Sequence, residues 1–529
     1  MKVILRLKKS YKKSLMNLAM DKMEIKGKVY LVGAGPGDPE LITVKGLELL
    51  KKAEVVLYDR LANDTLLKFC PENTELIFVG KEADRHPIPQ EEIIKILIEK
   101  AKKNKTVIRL KGGDPYIFGR GSEEALALYQ EGIDFEIVPG ITAGIGASAY
   151  SGAPLTHRNM VTQCLFITAH ESPEKNESQI EWELLAKLKN TTLVIYMGAS
   201  TLKWTVEKLI TLGMNPETPA IIVQNATLPS QRQFNSRLLN LPELVEKENI
   251  KPPIITIIGE TAVFSDKLDW FSRKPLFGKK IVCTRAEDQS HSLTKILEQN
   301  GAIAINFSVI KTKLNKPSEN LKDLLSKNFD WVIFSSENGV RYFFQLLNKE
   351  NMDARALSNT KIACIGKETA TRLKDFGLIA DFIPSSFTST VFIDEFLNSQ
   401  NLDNQKILRV KGDFQKDYIF DSLINNGINT EPLQVYSIEK NLPDNKLKEK
   451  LMNEGADAYL FTSSSTVTNF FDVFGKNQAL KLLNQSNVFA IGPVTRATLE
   501  DYQIKNIIMS ETFSIEGLVN SVIQHFSKS

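Results

Sequence analysis

Short aliphatic runs alternate with amphipathic segments from Lys28 almost to the end of the chain. In the segment 91–103, for example, Ile93, Leu97 and Ile98 recur at helical spacing. Strand-like runs that are separated by helical segments are typical of α/β units. We therefore predict an α/β fold, whose first strands occupy residues 29–33, 54–59, 75–80, 106–112, 135–140, 164–169, 192–198, 220–224 and 253–259.

The composition is that of a large globular protein. With 529 residues the chain is long enough for about two to four domains. A hydrophobic content of 42% and a charged content of 24% exclude a mostly disordered chain. The net charge of +3 gives no reason to expect a nucleic-acid partner, and no apolar stretch is long enough to span a membrane.

The four cysteines lie far apart, and the five histidines form no HExxH motif. We therefore predict that the protein has no disulfide framework and no bound metal. A reducing cytoplasm is the location that fits this cysteine pattern best. Residues 1–27 form a basic extension, for which disorder or loose helix is one interpretation and a targeting segment another.

The second half of the chain contains an internal repeat. The motif around Phe334-Ser335-Ser336 recurs around Phe461-Thr462-Ser463, and Ala363-Cys364-Ile365-Gly366 recurs as Ala490-Ile491-Gly492 at nearly the same offset. This half is therefore expected to form two similar α/β lobes with a cleft between them. The predicted domains are 28–266, with lobes 28–139 and 140–266, a linker at 267–275, and 276–526.

Three glycine-rich segments follow predicted strands in the first half: residues 32–38, 110–119 and 140–144. The first resembles a dinucleotide fingerprint, but Asp38 stands where the third glycine belongs and Pro36 lacks a backbone donor. A nicotinamide site is therefore disfavoured. The alternatives are tight turns that need glycine only for conformation, or turns whose backbone contacts a ligand in one cleft.

The motifs VGAGPGDPELITVKG, VVLYDRL, RLKGGDPYIFGRG, EIVPGITA and GAPLTHR resemble those of uroporphyrinogen-III C-methyltransferases, in the tetrapyrrole methylase family. The resemblance covers residues 28–270. It implies two α/β lobes with S-adenosylmethionine (SAM) folded between them and S-adenosylhomocysteine as product. The donor contacts it implies are Pro36, Gly112, Gly113, Asp114, Ile117, Thr142, Ala143, Met197 and Ala226.

Two of these implied donor contacts, at Met197 and Ala226, have alternative interpretations. Met197 could be an ordinary core methionine rather than a surface for adenine. Ala226 stands where the family commonly has the glycine of Asn-Gly-Thr, so we expect a loop less free to adopt positive φ.

The resemblance also implies a base at Asp59 and an acid at Lys81. A carboxylate can stabilise the cation that forms on the methylated ring or accept its proton. The alternatives are a helix N-cap at Asp59 and a solvated cation at Lys81. A polycarboxylate acceptor needs a basic pocket, and the candidates, each with a surface ion pair as the alternative, are Arg60, Arg85, His86, Arg109, Arg120, His157 and Arg158.

Residues 276–526 resemble uroporphyrinogen-III synthases through FSSENGV (334–340), CIGKET (364–369), LQVY (433–436), FTSSSTV (461–467) and AIGPVT (490–495). The resemblance implies one lobe from 276–310 with 438–526, another from 311–437, a two-stranded linker and no cofactor. Hydroxyls at strand ends can hold substrate carboxylates or cap helices; they belong to Ser335, Ser336, Ser463, Ser464 and Thr495.

Tyr436 is the expected acid of the synthase half, with a core aromatic as the alternative. Together the resemblances imply a bifunctional enzyme that closes hydroxymethylbilane to uroporphyrinogen III and methylates it at C2 and C7 to precorrin-2, for sirohaem or cobalamin. A homodimer through the methyltransferase half is expected. The alternative is a methylase of another tetrapyrrole or of RNA, joined to a non-catalytic ligand-binding module.

Overall fold

The computed structural model describes residues 27–80, 88–103, 105–169, 178–317, 320–413 and 417–527. It divides into two units, unit 1 up to Gly278 and unit 2 from Lys279. Within the described ranges, every helix is too short or too polar to cross a membrane.

Unit 1 begins with a parallel five-stranded sheet of order β3-β2-β4-β1-β5. Its strands are β1 (Val29–Gly33), β2 (Val55–Tyr58), β3 (Glu75–Phe78), β4 (Val107–Lys111) and β5 (Phe135–Val138), with helices α1 (Val44–Leu50), α2 (Gln90–Lys102) and α3 (Gly121–Gln130). The central strands β1, β2 and β4 are largely buried, as expected for a sheet covered on both faces. Since all strands are parallel, their carboxyl ends meet at one edge.

The second sheet of unit 1 is mixed. Its strands are β6 (Gln163–Thr168), β7 (Thr191–Tyr196), β8 (Pro219–Gln224), β9 (Arg232–Arg237) and β10 (Ile254–Ile258), in the order β6-β7-β10-β8-β9. Only β6 and β7 pair in parallel. Its helices are α4 (Ala143–Ser151), α5 (Trp182–Lys187), α6 (Leu202–Thr211), α7 (Leu241–Lys247) and α8 (Ser265–Leu268). Strand β9 was not predicted, because this polar edge strand has no aliphatic run.

Unit 2 contains two parallel sheets and a two-stranded antiparallel ribbon. The first sheet has the order β12-β11-β19-β20-β21, the second β15-β14-β16-β17, and the ribbon pairs β13 with β18. The strands are β11 (Lys280–Cys283), β12 (Ile303–Asn306), β13 (Ile310–Leu314), β14 (Trp331–Phe334), β15 (Lys361–Cys364), β16 (Lys406–Lys411), β17 (Asn429–Gln434), β18 (Tyr436–Lys440), β19 (Ala458–Phe461), β20 (Asn487–Ala490) and β21 (Ile507–Met509).

The helices of unit 2 follow these strands: α9 (Glu287–Gln299), α10 (Leu321–Leu325), α11 (Glu337–Lys349), α12 (Lys367–Lys374), α13 (Ser389–Ser399), α14 (Tyr418–Asn425), α15 (Asn445–Glu454), α16 (Ser464–Phe474), α17 (Lys476–Asn484), α18 (Pro493–Asp501) and α19 (Ile515–Ser527). The repeated motif has the same local structure in both sheets. Ser336 caps α11 by accepting from the Gly339 N–H, and Ser463 caps α16 by accepting from the Thr466 N–H. The predicted α/β fold class is confirmed.

Candidate active sites

The three glycine-rich turns of unit 1 meet at the carboxyl edge of the first sheet. The Gly113 N–H donates to the Gly35 carbonyl at 2.7 Å, and the Gly35 N–H donates back at 3.2 Å. A Cβ at Gly33 would lie 2.6 Å from the Cα of Gly140. Glycine is thus needed here for close backbone packing between turns, while a Cβ at Gly113 would come no closer than 3.6 Å to any atom outside its own turn.

Asp114 ties two of these turns together. Its Oδ1 accepts the Tyr116 N–H at 2.8 Å, and its Oδ2 accepts the Gly140 N–H at 3.0 Å. A carboxylate has about four acceptor positions, so both oxygens can still accept from a ligand hydroxyl. The turn bonds and the predicted ribose contact are therefore compatible.

Tyr196, which the sequence reasoning missed, anchors the amino end of α4. Its Oη lies 2.9 Å from the Thr142 Oγ1 and accepts the Gly144 N–H at 2.7 Å. Burial raises the pKa of Tyr196, so it remains a neutral phenol. The only sequence signal was its position at the end of a predicted strand.

Apolar side chains beside these turns are exposed. Met197 directly follows β7 with φ of 54° and is 48% exposed, so the core interpretation is wrong. Ile117 is also exposed, and the Phe118 ring lies 5.0 Å from that of Tyr196. Exposed apolar side chains beside these turns are suited to a flat ligand with apolar faces.

The remaining donor candidates lie on the neighbouring loops. Pro36 faces α4, where a Cβ at Gly146 would lie 2.5 Å from the Pro36 Cγ, and Ala143 is half-buried at the start of that helix. Ala226 is buried, and the positive φ values in its loop belong to Asn225 and Thr227. The expected restriction at Ala226 is therefore wrong, because alanine occupies a position that does not need positive φ.

Asp59 follows β2 and is 23% exposed at the side chain. Its Oδ1 accepts the Leu61 N–H at 3.1 Å, and its Oδ2 accepts from the Arg109 Nη2 at 3.1 Å. No helix begins at Arg60; the next helical turn is Asp64–Phe69, which Asn63 caps. The N-cap interpretation of Asp59 is therefore wrong, because a turn and not a helix follows it. Both of its carboxylate oxygens are oriented by these hydrogen bonds.

Arg109 lies inside the protein rather than on a pocket surface. It is 4% exposed, and its Nε lies 3.3 Å from the Glu124 Oε1. Lys111 donates to the same Glu124 oxygen at 2.9 Å. Burial and the neighbouring arginine lower the pKa of Lys111. Arg109 thus donates to the Asp59 carboxylate from the protein interior. The prediction that Arg109 lines a basic acceptor pocket is therefore wrong.

The other predicted cations of unit 1 that the structure describes are exposed. Arg120 pairs with Glu123 at 2.7 Å, and the His157 ring stacks on Phe264 at 4.9 Å. Arg60 and Arg158 lie on the surface as well. Lys81, Arg85 and His86 lie outside the described residues. In the described ranges no group of three metal-ligating side chains is found.

In unit 2, Tyr436 is 2% exposed and its Oη lies 3.2 Å from the Ser336 Oγ. Its ring stacks on Tyr342 at 5.4 Å, and a Cβ at Gly412 would lie 2.6 Å from the Tyr436 Cζ. Burial raises the pKa of Tyr436, so the phenol keeps its proton at neutral pH. The Tyr436 ring therefore packs into the core, and the hydrogen bond to Ser336 connects its hydroxyl to the strand ends.

Arg409 was not predicted, and it lies beside this phenol. Its Nη2 donates to the Ser335 Oγ at 3.0 Å, and its Nε lies 3.2 Å from the Asp417 Oδ2. In the other lobe Ser463 is half-buried and caps a helix, and Thr495 is buried in the first turn of α18. The polar network therefore belongs to the lobe that contains Ser335, Ser336 and Tyr436.

Both halves of the chain match known protein families. Residues 28–242 match the family described as Tetrapyrrole (Corrin/Porphyrin) Methylases, and residues 291–520 match Uroporphyrinogen-III synthase HemD. The chain is 37% identical over 509 residues to the Porphyrin biosynthesis protein HemD of Ruminiclostridium josui, covering 94% of this chain and 98% of that protein. The chain belongs to this porphyrin biosynthesis HemD family.

Other relatives of this HemD-family chain cover a smaller share of it. The uroporphyrinogen-III C-methyltransferase of Bacillus subtilis (strain 168) is 41% identical, with 68% of this chain and 73% of that protein covered. The structure of uroporphyrin-III C-methyl transferase from Thermus thermophilus complexed with S-adenyl homocysteine is 39% identical, with a TM-score of 0.39, and covers 45% of this chain and 99% of that one. The predicted fusion of a tetrapyrrole methylase with a uroporphyrinogen-III synthase is confirmed, and the alternative function is not favoured.

Proposed function

We propose that this chain catalyses two consecutive steps of tetrapyrrole synthesis. Residues 276–526 close hydroxymethylbilane to uroporphyrinogen III, and residues 28–266 methylate that product at C2 and C7 to give precorrin-2. The observation that carries the methylation step is the meeting of three glycine turns beside Asp59, whose carboxylate Arg109 holds in a fixed direction.

The residues beside the turns fit SAM, which supplies a methyl group on a sulfonium and leaves as S-adenosylhomocysteine. The turn at Gly113 is proposed to border the donor, Asp114 to accept from its hydroxyls, and the exposed Met197 to cover an apolar face. The other proposed contacts are Pro36, Gly112, Ile117, Thr142, Ala143 and Ala226. The protein aligns the acceptor carbon, the methyl and the sulfur, and excludes water.

Asp59 then stabilises the cation left on the methylated ring or accepts its proton. Lys81 is proposed as proton donor or carboxylate clamp. The exposed Arg60, Arg120, His157 and Arg158, together with Arg85, are proposed to bind the acceptor's carboxylates. Arg109 is proposed to contribute indirectly, by orienting the Asp59 carboxylate.

In the synthase half Tyr436 is proposed as the acid that protonates the departing hydroxyl, which leaves as water. The resulting azafulvenium cation is attacked by the terminal pyrrole. Because Tyr436 is buried, its proton reaches the substrate through the Ser336 hydroxyl. Ser335, Ser463 and Thr495 are proposed to hold carboxylates, and the reaction uses no cofactor.

The test supplies hydroxymethylbilane and SAM to the purified full chain and identifies the products by mass and isomer. Wild type should yield uroporphyrinogen III and then precorrin-2. Asp59→Ala should accumulate uroporphyrinogen III and lose methylation by at least about a hundredfold while still binding S-adenosylhomocysteine.

Two outcomes would contradict the proposal. Wild-type methylation by Asp59→Ala would remove Asp59 from the mechanism. Formation of isomer I alone, the product of spontaneous closure, would make the second half a non-catalytic module.

We further propose a homodimer through the methyltransferase half and a cytoplasmic location. The dimer is supported by the resemblance to the methyltransferases. The reducing location is supported by the four cysteines, all of which are free thiols.

A further inference from the structure

Glu124 is a charged residue with no exposure to solvent, on the helix that follows the candidate site. It lies on α3 and is 0% exposed. Its Oε1 accepts from the Lys111 Nζ at 2.9 Å and the Gln90 Nε2 at 2.9 Å, and lies 3.3 Å from the Arg109 Nε. One carboxylate oxygen thus contacts three donors, one from helix α2 and two from strand β4.

This arrangement is poorly explained by stability alone. Burying charges is costly, and a buried ion pair is often no better for stability than apolar residues of the same size. The second oxygen, Oε2, is buried without a hydrogen-bond partner among the residues that the structure describes. One oxygen of this carboxylate accepts from three donors while the other accepts from none, which is not the arrangement expected if stability alone were optimised.

The contacts of Arg109 connect Glu124 to the reacting groups. Its Nε faces Glu124, its Nη1 donates to the Leu110 carbonyl at 2.9 Å, and its Nη2 donates to the Asp59 Oδ2. The guanidinium is planar and rigid, so fixing its Nε fixes the direction of Nη2 as well. Glu124 and Asp59 together balance the charges of Arg109 and Lys111.

We propose that Glu124 is a positioning residue for methyl transfer, which holds Arg109 in the orientation that presents the Asp59 carboxylate to the acceptor. This inference rests on the proposed role of Asp59. Because Glu124 has no exposed surface, it acts through Arg109 and does not touch the substrate.

The experiment measures methylation of supplied uroporphyrinogen III by the full chain carrying Glu124→Gln. We expect kcat to fall about tenfold, because a misplaced reacting group slows chemistry, while the KM for SAM and the affinity for S-adenosylhomocysteine stay unchanged. Glu124→Asp keeps the charge at a shorter reach and should have an intermediate kcat. Glu131→Gln, an exposed neighbour paired with Lys102, is the matched control.

A wild-type kcat in Glu124→Gln would overturn the inference. A parallel loss of S-adenosylhomocysteine affinity would also overturn it, since that result indicates a general structural role. If Glu124→Gln does not fold, the charge-balanced double variant Lys111→Met with Glu124→Gln is judged by the same two criteria.

Asp59→Asn in the same assay separates this inference from the proposed function. Loss of activity in Asp59→Asn with wild-type activity in Glu124→Gln would reject only the inference. Wild-type activity in Asp59→Asn would reject the proposed role of Asp59 itself.

Discussion

The two units place nearly the same tripeptide in a central parallel strand, Arg109-Leu110-Lys111 in β4 and Arg409-Val410-Lys411 in β16. Both arginines are buried. Each pairs with a carboxylate from beyond its own strand, Glu124 of α3 in unit 1 and Asp417 at the start of α14 in unit 2. The common feature is a buried guanidinium at the carboxyl end of a sheet.

The units differ in the residue that this guanidinium holds. Arg109 is in register with Leu57, and Asp59 lies two residues further along the chain; Arg409 is in register with Ile333, and Ser335 lies two residues further. The equivalent position is thus a carboxylate in one unit and a hydroxyl in the other. Arg109 therefore lies between two carboxylates, those of Asp59 and Glu124, whereas Arg409 lies between the Asp417 carboxylate and the Ser335 hydroxyl.

The largest effect should come from removing the guanidiniums. Arg109→Met leaves the fully buried Glu124 with only Lys111 as a cationic partner, so unfolding free energy should fall by about 3–5 kcal/mol. Arg409→Met should cost less, because Arg409 pairs with one carboxylate where Arg109 pairs with two, and Asp417 keeps its cap bond to the Phe420 N–H. Urea unfolding of both full-chain variants measures this difference, and an equal or greater loss in Arg409→Met would contradict it.

A smaller effect is expected for the phenol of unit 2. Tyr436→Phe keeps the stack on Tyr342 but removes the proposed acid, so cyclisation should slow by roughly 10–100-fold while methylation of supplied uroporphyrinogen III is unchanged. Tyr459→Phe, at another buried tyrosine of the same unit, is the control and should leave cyclisation intact. Full cyclisation with isomer III selectivity in Tyr436→Phe would reject the acid role.

The smallest effect should follow Ser335→Ala, which removes one hydrogen bond to a charged donor. The cost in unfolding free energy is expected to be about 1–2 kcal/mol, since Arg409 keeps Asp417 and the Val410 carbonyl. Methylation by the same chain is the internal reference. A loss as large as that of Arg409→Met would show that the serine, rather than the ion pair, dominates this network.

Sequence reasoning was most successful where the signal is local. The α/β class and the fusion were confirmed, the three glycine turns do meet, and Asp59 does lie beside them. It failed for Arg109, which was expected in an acceptor pocket and lies in the interior. It also missed Tyr196 and Arg409, whose partners Gly144 and Ser335 lie 52 and 74 residues away in the chain. Glu124 was missed although Lys111 is only 13 residues away, because the two residues lie on different elements that only the fold brings together.

Periodicity, glycine positions and the internal repeat were enough to determine the α/β class and the turns at strand ends, since these depend on neighbouring residues. The tertiary structure alone decided which residue each buried arginine holds. Strand order and register bring Asp59 to Arg109 and Ser335 to Arg409, and no local pattern encodes a pairing between strands so far apart in the chain.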